Sequence, residues 1–547
     1  ANKNNEKFMK KINYYVFLFI LFTGSRLYAQ SLTNDVKFCV ISDVHLYDTT
    51  LGTTGTAFQS YLMQDRKLLV ESEPILRSAI NIIKSEKPSF LLITGDLTKD
   101  GEKQVHQLLA KYLDSLKAAG IPSYVIPGNH DIANPDAMSF SGDTKTPVPS
   151  VTAEEFAEIY KEYGFSSAIS RDGSSLSYIF EPVDGLWIFA LDACRYKENT
   201  TTPIVGGKFS ESTLEWIKSN LLKAKSENKV VLGMMHHGIL EHYAGQKLFF
   251  PEYVVDDYQA VSKMFVQNGL NIVFTGHYHA QDITYKSYTA DELNGTAAGI
   301  YDIETGSLVT NPNPVRTVTL SKNLSLDIKT TDVTEIDFPT DTMSFSEYSL
   351  SYLAAGLNVL VPYILTSPAS SGGYGLSADE AASVTPYFVQ AFAAHYRGDE
   401  TPSAELIATI QAFMSSSDAN MVLLGTALGT LWTDIAPSDN NYTINSISTS
   451  VKNNDETAVP STLTLYQNYP NPFNPVTNIK FNLTQPGYVS LKIYDVMGSE
   501  ITTLVNEFKQ AGEYSLPFNA SSLASGAYYY TLKQGSYIIS KSMILVK

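Results

Sequence analysis

Residues 124–131 read Tyr124-Val125-Ile126-Pro127-Gly128-Asn129-His130-Asp131, a short apolar run followed by three side chains able to bind metal or move a proton. Near-continuous apolar runs of this length predict strands buried on both faces. The same arrangement recurs along the chain. Phe38-Cys39-Val40-Ile41 leads to Asp43-Val44-His45, and Phe90-Leu91-Leu92-Ile93 leads to Gly95-Asp96. Val230-Val231-Leu232-Gly233-Met234 leads to His236-His237, and Ile272-Val273-Phe274 leads to Gly276-His277-Tyr278-His279. Leu186-Trp187-Ile188-Phe189-Ala190 is a further strand candidate, and amphipathic segments lie between the runs, such as Pro74 to Lys87 with Ile75, Ala79, Ile82 and Ile83 at helical spacing. This alternation predicts a layered α/β domain over residues 36–336, with final antiparallel strands from the alternating stretch Thr317 to Ile336.

Open α/β sheets place their sites at the carboxyl ends of strands. Six of the nine histidines fall in these five clusters, and only His106, His242 and His395 lie outside. So many ionisable groups closing buried strands require a compensating charge. Carboxylates, imidazoles and an amide without thiolates suit Mn, Fe or Zn better than Ca, which prefers all-oxygen shells. Two ions are needed to use so many ligands. A bridging carboxylate would fix the pair, and a hydroxide between them would attack phosphorus in line.

Composition sets limits on the alternatives. A chain of 547 residues exceeds one core, so several domains are expected. With 39 Lys plus Arg against 56 Asp plus Glu the net charge is −17, which removes the electrostatic term that polymeric nucleic acid binding needs. Two cysteines, Cys39 and Cys194, exclude a disulfide framework and any Cys-rich zinc module. One bridge between them stays open, beside the reading of both as buried free thiols.

The motif set resembles the calcineurin-like metallophosphoesterase superfamily: Asp-x-His, Gly-Asp, Gly-Asn-His-Asp, a late His and Gly-His-x-His. The resemblance implies a double β-sandwich flanked by helices and a dinuclear site of divalent or trivalent ions. It implies Asp43, His45 and His279 on the first ion, Asn129, His236 and His277 on the second, and Asp96 bridging. His130 is implied to contact the phosphate as an acid or transition-state stabiliser, oriented by the carboxylate of Asp131. Spacing does not decide between His236 and His237; the resemblance favours the first, which leaves His237 as a substrate-side candidate or a structural histidine.

Position 99, where purple acid phosphatases carry a tyrosine ligand, is Lys99, so an iron-tyrosinate site is not expected. The runs Gly95 to Glu102, Leu191 to Cys194 and Gly276 to Asp282 resemble the class III cyclic-nucleotide phosphodiesterase branch. The side chains next to the motifs are Tyr278, Thr98, Lys99 and Arg195, with no Arg cluster. That favours a singly charged diester over a dianionic monoester. The expected activity is hydrolysis of a small phosphodiester, including cyclic nucleotides. The alternatives are a phosphomonoesterase or nucleotidase for nutrient phosphate, and a non-catalytic surface binding protein.

The remainder of the chain reads as accessory segments. Lys10 and Lys11, the apolar run Tyr14 to Phe22 and Leu27-Tyr28-Ala29 read as a secretory signal over 1–29, with residues before Met9 an upstream extension. That run is too short for a bilayer, which takes roughly 20 residues, and no stable transmembrane segment is expected. Residues 343–437 read as a small acidic helical bundle with one Arg and no Lys, and 438–460 as a polar linker. Residues 461–547 carry Tyr469-Pro470-Asn471-Pro472-Phe473-Asn474-Pro475 and Ser525-Gly526-Ala527-Tyr528-Tyr529 in a β pattern. This tail resembles the C-terminal sorting domains of the type IX secretion system. The resemblance implies an immunoglobulin-like sandwich, the secretion machinery as partner, and a secreted or cell-surface location.

Overall fold

The computed structural model describes residues 32–447 and 464–547, apart from 64–65, 244, 294, 369–373, 399, 434–436, 484–486, 497–498, 510–511 and 535–536. The signal segment expected over 1–29 lies outside the described residues. The chain divides into two units, Ala1–Val451 and Lys452–Lys547.

In the first unit the apolar runs form two sheets. One has the order Asn441–Ile444, Leu326–Asp332, Pro314–Leu320, Val36–Ile41, Leu91–Ile93, Ser123–Val125. Its last three strands are mutually parallel. The other runs Asp282–Tyr288, Ala298–Glu304, Ile272–Thr275, Val230–Met235, Leu186–Leu191, Tyr178–Val183, Ser170–Arg171, with a parallel centre and antiparallel edges. The sheets meet through Phe38 and Phe274, whose rings are 5.5 Å apart edge to face, and through Tyr124 stacked on Phe180 at 3.8 Å.

The strand Leu186–Leu191 shows why these runs lack alternation. Ile188 and Ala190 enter the core between the sheets, while Trp187, Phe189 and Leu191 pack outward against Ile217, Leu221 and Phe265 of helices Glu211–Ser226 and Tyr258–Gln267. Both faces are covered, so both must be apolar. Helices Ser72–Glu86 and Lys103–Ala118 bury Ile75, Ala79, Ile83, Leu109, Leu113 and Leu116 in the same core as the first sheet. The late strands 314–320 and 326–332 are antiparallel, as their alternation implied.

Residues 345–431 form helices Phe345–Thr366, Ala378–Arg397, Ala404–Met414 and Ala419–Leu431. Ser344 with Glu347, and Ser377 with Glu380, close capping boxes that start the first two. Their core of Leu353, Leu357, Val361, Val384, Phe388, Leu424 and Leu428 continues into Tyr243, Tyr278 and Ala280 of the α/β part. Helix Phe345–Thr366 is long and apolar enough to cross a membrane by length and composition. Leu353, Leu357, Val361 and Leu365 on one of its faces are buried in the bundle core.

The polar stretch after the bundle differs from the linker expected over 438–460. Asn441–Ile444 pairs antiparallel with Leu326–Asp332 and extends the first sheet. Asp439 is fully buried; its Oδ1 accepts Ile283 N at 2.9 Å and its carbonyl accepts Arg316 Nη1 at 2.6 Å. Asn, Ser and Thr describe an edge strand here as well as a linker, which is why composition misplaced the boundary.

The second unit has a three-stranded sheet in the order Thr464–Leu465, Val476–Leu483, Gly512–Asn519, and a four-stranded sheet in the order Glu500–Lys509, Gly487–Tyr494, Gly526–Gln534, Tyr537–Leu545. Val476–Leu483 buries Thr477, Ile479, Phe481 and Leu483 and exposes or half-exposes the residues between, so one face is covered.

The buried Asp439 fixes where the first unit can be cut. A chain ending at Val451 should keep the urea unfolding midpoint of the first unit, whereas one ending at Pro437 should lose about 1–3 kcal/mol because Ile283 N and Arg316 lose acceptors inside the fold. Equal midpoints for the two would remove Asp439 and its strand from the folded core.

Candidate metal centre

Each of the five polar clusters starts where a strand stops. Asp43 and His45 follow Val36–Ile41, Asp96 follows Leu91–Ile93, Asn129 and His130 follow Ser123–Val125, His236 follows Val230–Met235, and His277 and His279 follow Ile272–Thr275. The loops are tied to each other: Asp43 N donates to Gly95 O at 3.1 Å, His45 N to Asp96 O at 2.9 Å, and Gly276 N to His236 O at 3.0 Å. Asp43, His45, Asp96, His277 and His279 all have φ between 37° and 82°, a left-handed region that costs a non-glycine residue about 1–3 kcal/mol and persists only where its surroundings over-determine it.

The motif glycines leave room for this crowding. A Cβ at Gly128 would overlap Asp96 Oδ1, and one at Gly276 would overlap Ser42 Oγ. Gly-Asn-His and Gly-His-x-His therefore carry glycine because another loop of the site occupies the space of a side chain.

All seven residues expected as ligands come together. Asp43 Oδ1 lies 3.3 Å from His279 Nε2 and 3.8 Å from His45 Nε2, and those two nitrogens are 3.3 Å apart. Asp96 Oδ2 lies 3.5 Å from His45 Nε2 and 3.3 Å from His236 Nε2, and His236 Nε2 is 3.1 Å from Asn129 Oδ1. Ligand atoms of Asp43, His45 and His279 fall within 4.8 Å of one another, as do those of Asp96, His236 and His277.

The donor set fits cations. Asp43 Oδ1 is buried without a hydrogen-bond donor, the kind of orphaned carboxylate oxygen that a metal satisfies. His236 Nδ1 donates to Thr94 O at 2.9 Å and His277 Nε2 faces Glu252 O at 3.3 Å, which frees the other ring nitrogen of each for a metal. Burial holds His45, His277 and His279 below the ordinary histidine range, in the neutral form that ligates. Burial also acts to lower His236, but the Asp96 charge outweighs it and carries this histidine up to about 9. Burial acts to raise Asp96, and the charges of His236 and His130 hold it well below the carboxylate range instead.

One expectation about the surroundings is corrected. The carboxylate at His130 is Asp100, not Asp131: Nδ1 of His130 donates to Asp100 Oδ1 at 2.8 Å. Asp131 instead accepts Leu97 N at 2.9 Å, Thr98 N at 3.0 Å and Gly128 N at 2.8 Å, stapling the loop after Asp96 to the one before Asn129. Burial and the Asp96 charge raise it to about 7. Adjacency in sequence pointed to Asp131, but its side chain turns toward these amides.

His237 is fully buried, and Nε2 donates to Val205 O at 2.8 Å. A Cβ at Gly207 would lie 2.6 Å from its ring, so this histidine packs tightly against that glycine. Burial and the neighbouring His236 lower it to about 3.

The side chains expected beside the substrate point elsewhere. Tyr278 OH bonds Tyr243 OH at 2.9 Å in the aromatic core, and Thr98 Oγ1 donates to Asp131 at 3.1 Å. Lys99 is buried between Asp100 and Glu102, and Arg195 pairs with Glu198. The fold supplies other cations that no motif signalled. The Lys67 charge acts on His45, His130 and His279, and the Arg66 charge on His279. Arg66 lies 5.7 Å from the centre of the Tyr396 ring. Cys39 and Cys194 are free thiols.

With this geometry in view, residues 36–281 match the family model described as calcineurin-like phosphoesterase. This segment is a calcineurin-like phosphoesterase domain. Residues 467–547 match the secretion system C-terminal sorting domain. The chain is 27% identical over 158 residues to a protein of Arcobacter nitrofigilis named "Probable glycerophosphodiester phosphodiesterase GpdQ". It is 23% identical over 216 residues to one of Psychrobacter sp. named "Probable cyclic nucleotide phosphodiesterase". These matches take in 29% and 40% of this chain and 44% and 53% of the relatives, so the chain spans about half the length of the curated relatives it matches. Among solved structures, a dimetal phosphatase from Danio rerio is similar at 17% identity and TM-score 0.36, over 55% of this chain and 97% of that one.

In the phosphoesterase domain the His130 and Asp131 surroundings separate two kinds of loss. His130→Ala and Asp100→Ala should each slow ester hydrolysis, by about 100-fold for His130, and the double variant should be no slower than His130→Ala. Asp131→Ala should instead lower unfolding free energy by about 3 kcal/mol as buried amides lose their acceptor. Additive losses for His130 and Asp100 would show that the two do not act together.

Proposed function

We propose that the domain is a dinuclear-metal phosphodiesterase, exported and handled through its C-terminal domain. The observation that carries this is Asp96 Oδ2, which faces His45 Nε2 of one ligand group at 3.5 Å and His236 Nε2 of the other at 3.3 Å. Asp43, His45 and His279 would hold one ion, Asn129, His236 and His277 the second, and Asp96 both. When bound, such a pair supplies Lewis acidity at the phosphoryl oxygens and lowers the pKa of a water. The two sheets would then be the double β-sandwich of this family, and the tail an immunoglobulin-like sandwich.

The protein's own groups do the remaining work. His130 has Nδ1 fixed by the buried Asp100, which leaves Nε2, 4.0 Å from Asp96 Oδ2, as the atom that presents a proton to the site. Burial and Lys67 act to lower His130, but Asp96 and Asp100 raise it on balance. A protonated imidazole there can give its proton to the leaving oxygen. Asp100 is in turn held by Lys99 and by Tyr61 OH at 3.0 Å, so the orienting carboxylate is itself fixed.

A diester is favoured because both curated relatives carry diesterase names. A second reading, a monoesterase, is favoured by Lys67, whose charge reaches His45 and His130 and would suit a dianionic phosphate. The sorting-domain match supports export by type IX secretion to the surface or beyond. We also propose the segments 36–336, 343–437 and 461–547 as catalytic, helical and sorting parts.

Two kinetic experiments test these readings. Asp96→Asn should lower turnover about 1,000-fold with the fold intact, since one bridging charge serves both ions; turnover near that of the unsubstituted protein would refute the bridge. With a bis-aryl phosphate and the matching aryl phosphate, kcat/KM should be higher for the diester, and Lys67→Met should cost the monoester more than the diester. A clear monoester preference would move the assignment to the second reading.

A further inference from the structure

His242 lies outside every motif cluster, yet the fold sets it directly behind the loop that carries His277 and His279. Its Nδ1 donates to Asp282 Oδ1 at 2.8 Å, and its Nε2 lies 3.4 Å from Asp302 Oδ2 and 3.3 Å from Glu304 Oε2. All four side chains are buried.

Two of the carboxylates hold the loop, one at its start and one in its middle. Asp302 Oδ1 accepts Thr275 Oγ1, at the strand end just before Gly276, at 2.5 Å, and Asp302 Oδ2 accepts Ile239 N at 2.6 Å and Leu240 N at 3.0 Å. Glu304 Oε1 accepts Tyr278 N at 3.1 Å and Ala280 N at 3.4 Å, one residue on either side of His279. Asp282 begins the strand that the loop enters.

His277 and His279 have φ of 82° and 69°. A strained loop keeps such angles only if its amides are held from outside, and Glu304 supplies the acceptor. Polar groups in a dry interior are costly unless each faces a partner, and the His242 ring lies between all three carboxylates and ties their side chains together.

We propose that His242, acting through Asp302 and Glu304, is a positioning residue that sets His277 and His279 for metal binding. This rests on the metal-site reading above. Removing the imidazole lets Asp302 and Glu304 separate, the amides of Tyr278 and Ala280 lose their acceptor, and the two ligand histidines lose their shared orientation. Its effect is on the affinity of the site for metal, beyond any effect on stability.

The test is calorimetric titration of the full-length, metal-free protein with manganese(II) alone. His242→Leu and Glu304→Leu should weaken manganese binding by about 10–100-fold. Glu304→Gln, whose amide oxygen can accept the same two N–H groups, should stay within about threefold of the unsubstituted protein. Ile217→Ala, in helix Glu211–Ser226, should lower the melting temperature and leave the affinity unchanged. If a Leu variant does not fold, His242→Gln replaces it, keeping a donor for Asp282 while losing the ring nitrogen between Asp302 and Glu304. Affinity within twofold of the unsubstituted protein in a folded His242 or Glu304→Leu variant overturns the positioning role while the metal site stands. An unsubstituted protein that binds no manganese overturns both.

Discussion

Asp43 and Asp96 are held in a dry interior at 0% and 1% exposure, with four imidazoles and an amide around them. Carboxylates in that setting cost several kcal/mol each unless positive charge and donors surround them. The rest of the domain follows from meeting this need. Two sheets must end at one place so that loops from both can converge, and a left-handed backbone at Asp43, His45, Asp96, His277 and His279 turns the side chains inward. Glycines at 128 and 276 give way so that the loops fit. The apolar core between the sheets provides the burial free energy against which this local strain is set.

Support for the site is layered. Asp131 fastens two of the loops through their amides, and His106 fastens Asp131 in turn, its Nε2 2.9 Å from the Asp131 carbonyl and its Nδ1 2.9 Å from Tyr160 OH. The helical bundle also reaches the ligand loop: Gln281 N donates to Tyr396 O at 3.2 Å, and the His395 ring lies 5.6 Å from that of Tyr278. The bundle thus shares a core with Tyr243, Tyr278 and Ala280, next to the ligands.

Much of this was legible in the sequence, for a physical reason. A strand covered on both faces must be apolar throughout, so Leu186–Leu191 or Val230–Met235 stand out, and a metal ligand must be one of a few residue types, so the clusters after them stand out too. What stayed hidden depends on side-chain direction. Along the chain, adjacency points to Asp131 as the partner of His130, and only the turn after Asp96 brings Asp100 to its ring. Arg66 and Lys67 lie far from any motif, and His242, although it follows the His236-His237 pair closely, belongs to none, so packing alone brings these side chains to the site. Asp439 and Asn441–Ile444 were hidden because an exposed edge strand and a linker draw on the same polar residues.

In the proposed centre these side chains surround two ions with Asp96 between them. Anomalous diffraction from crystals of the manganese-loaded protein addresses it most directly. Two manganese peaks per chain are expected, one bounded by Asp43, His45 and His279, the other by Asn129, His236 and His277, with Asp96 touching both. A single peak, or two peaks that do not share Asp96, would contradict this arrangement.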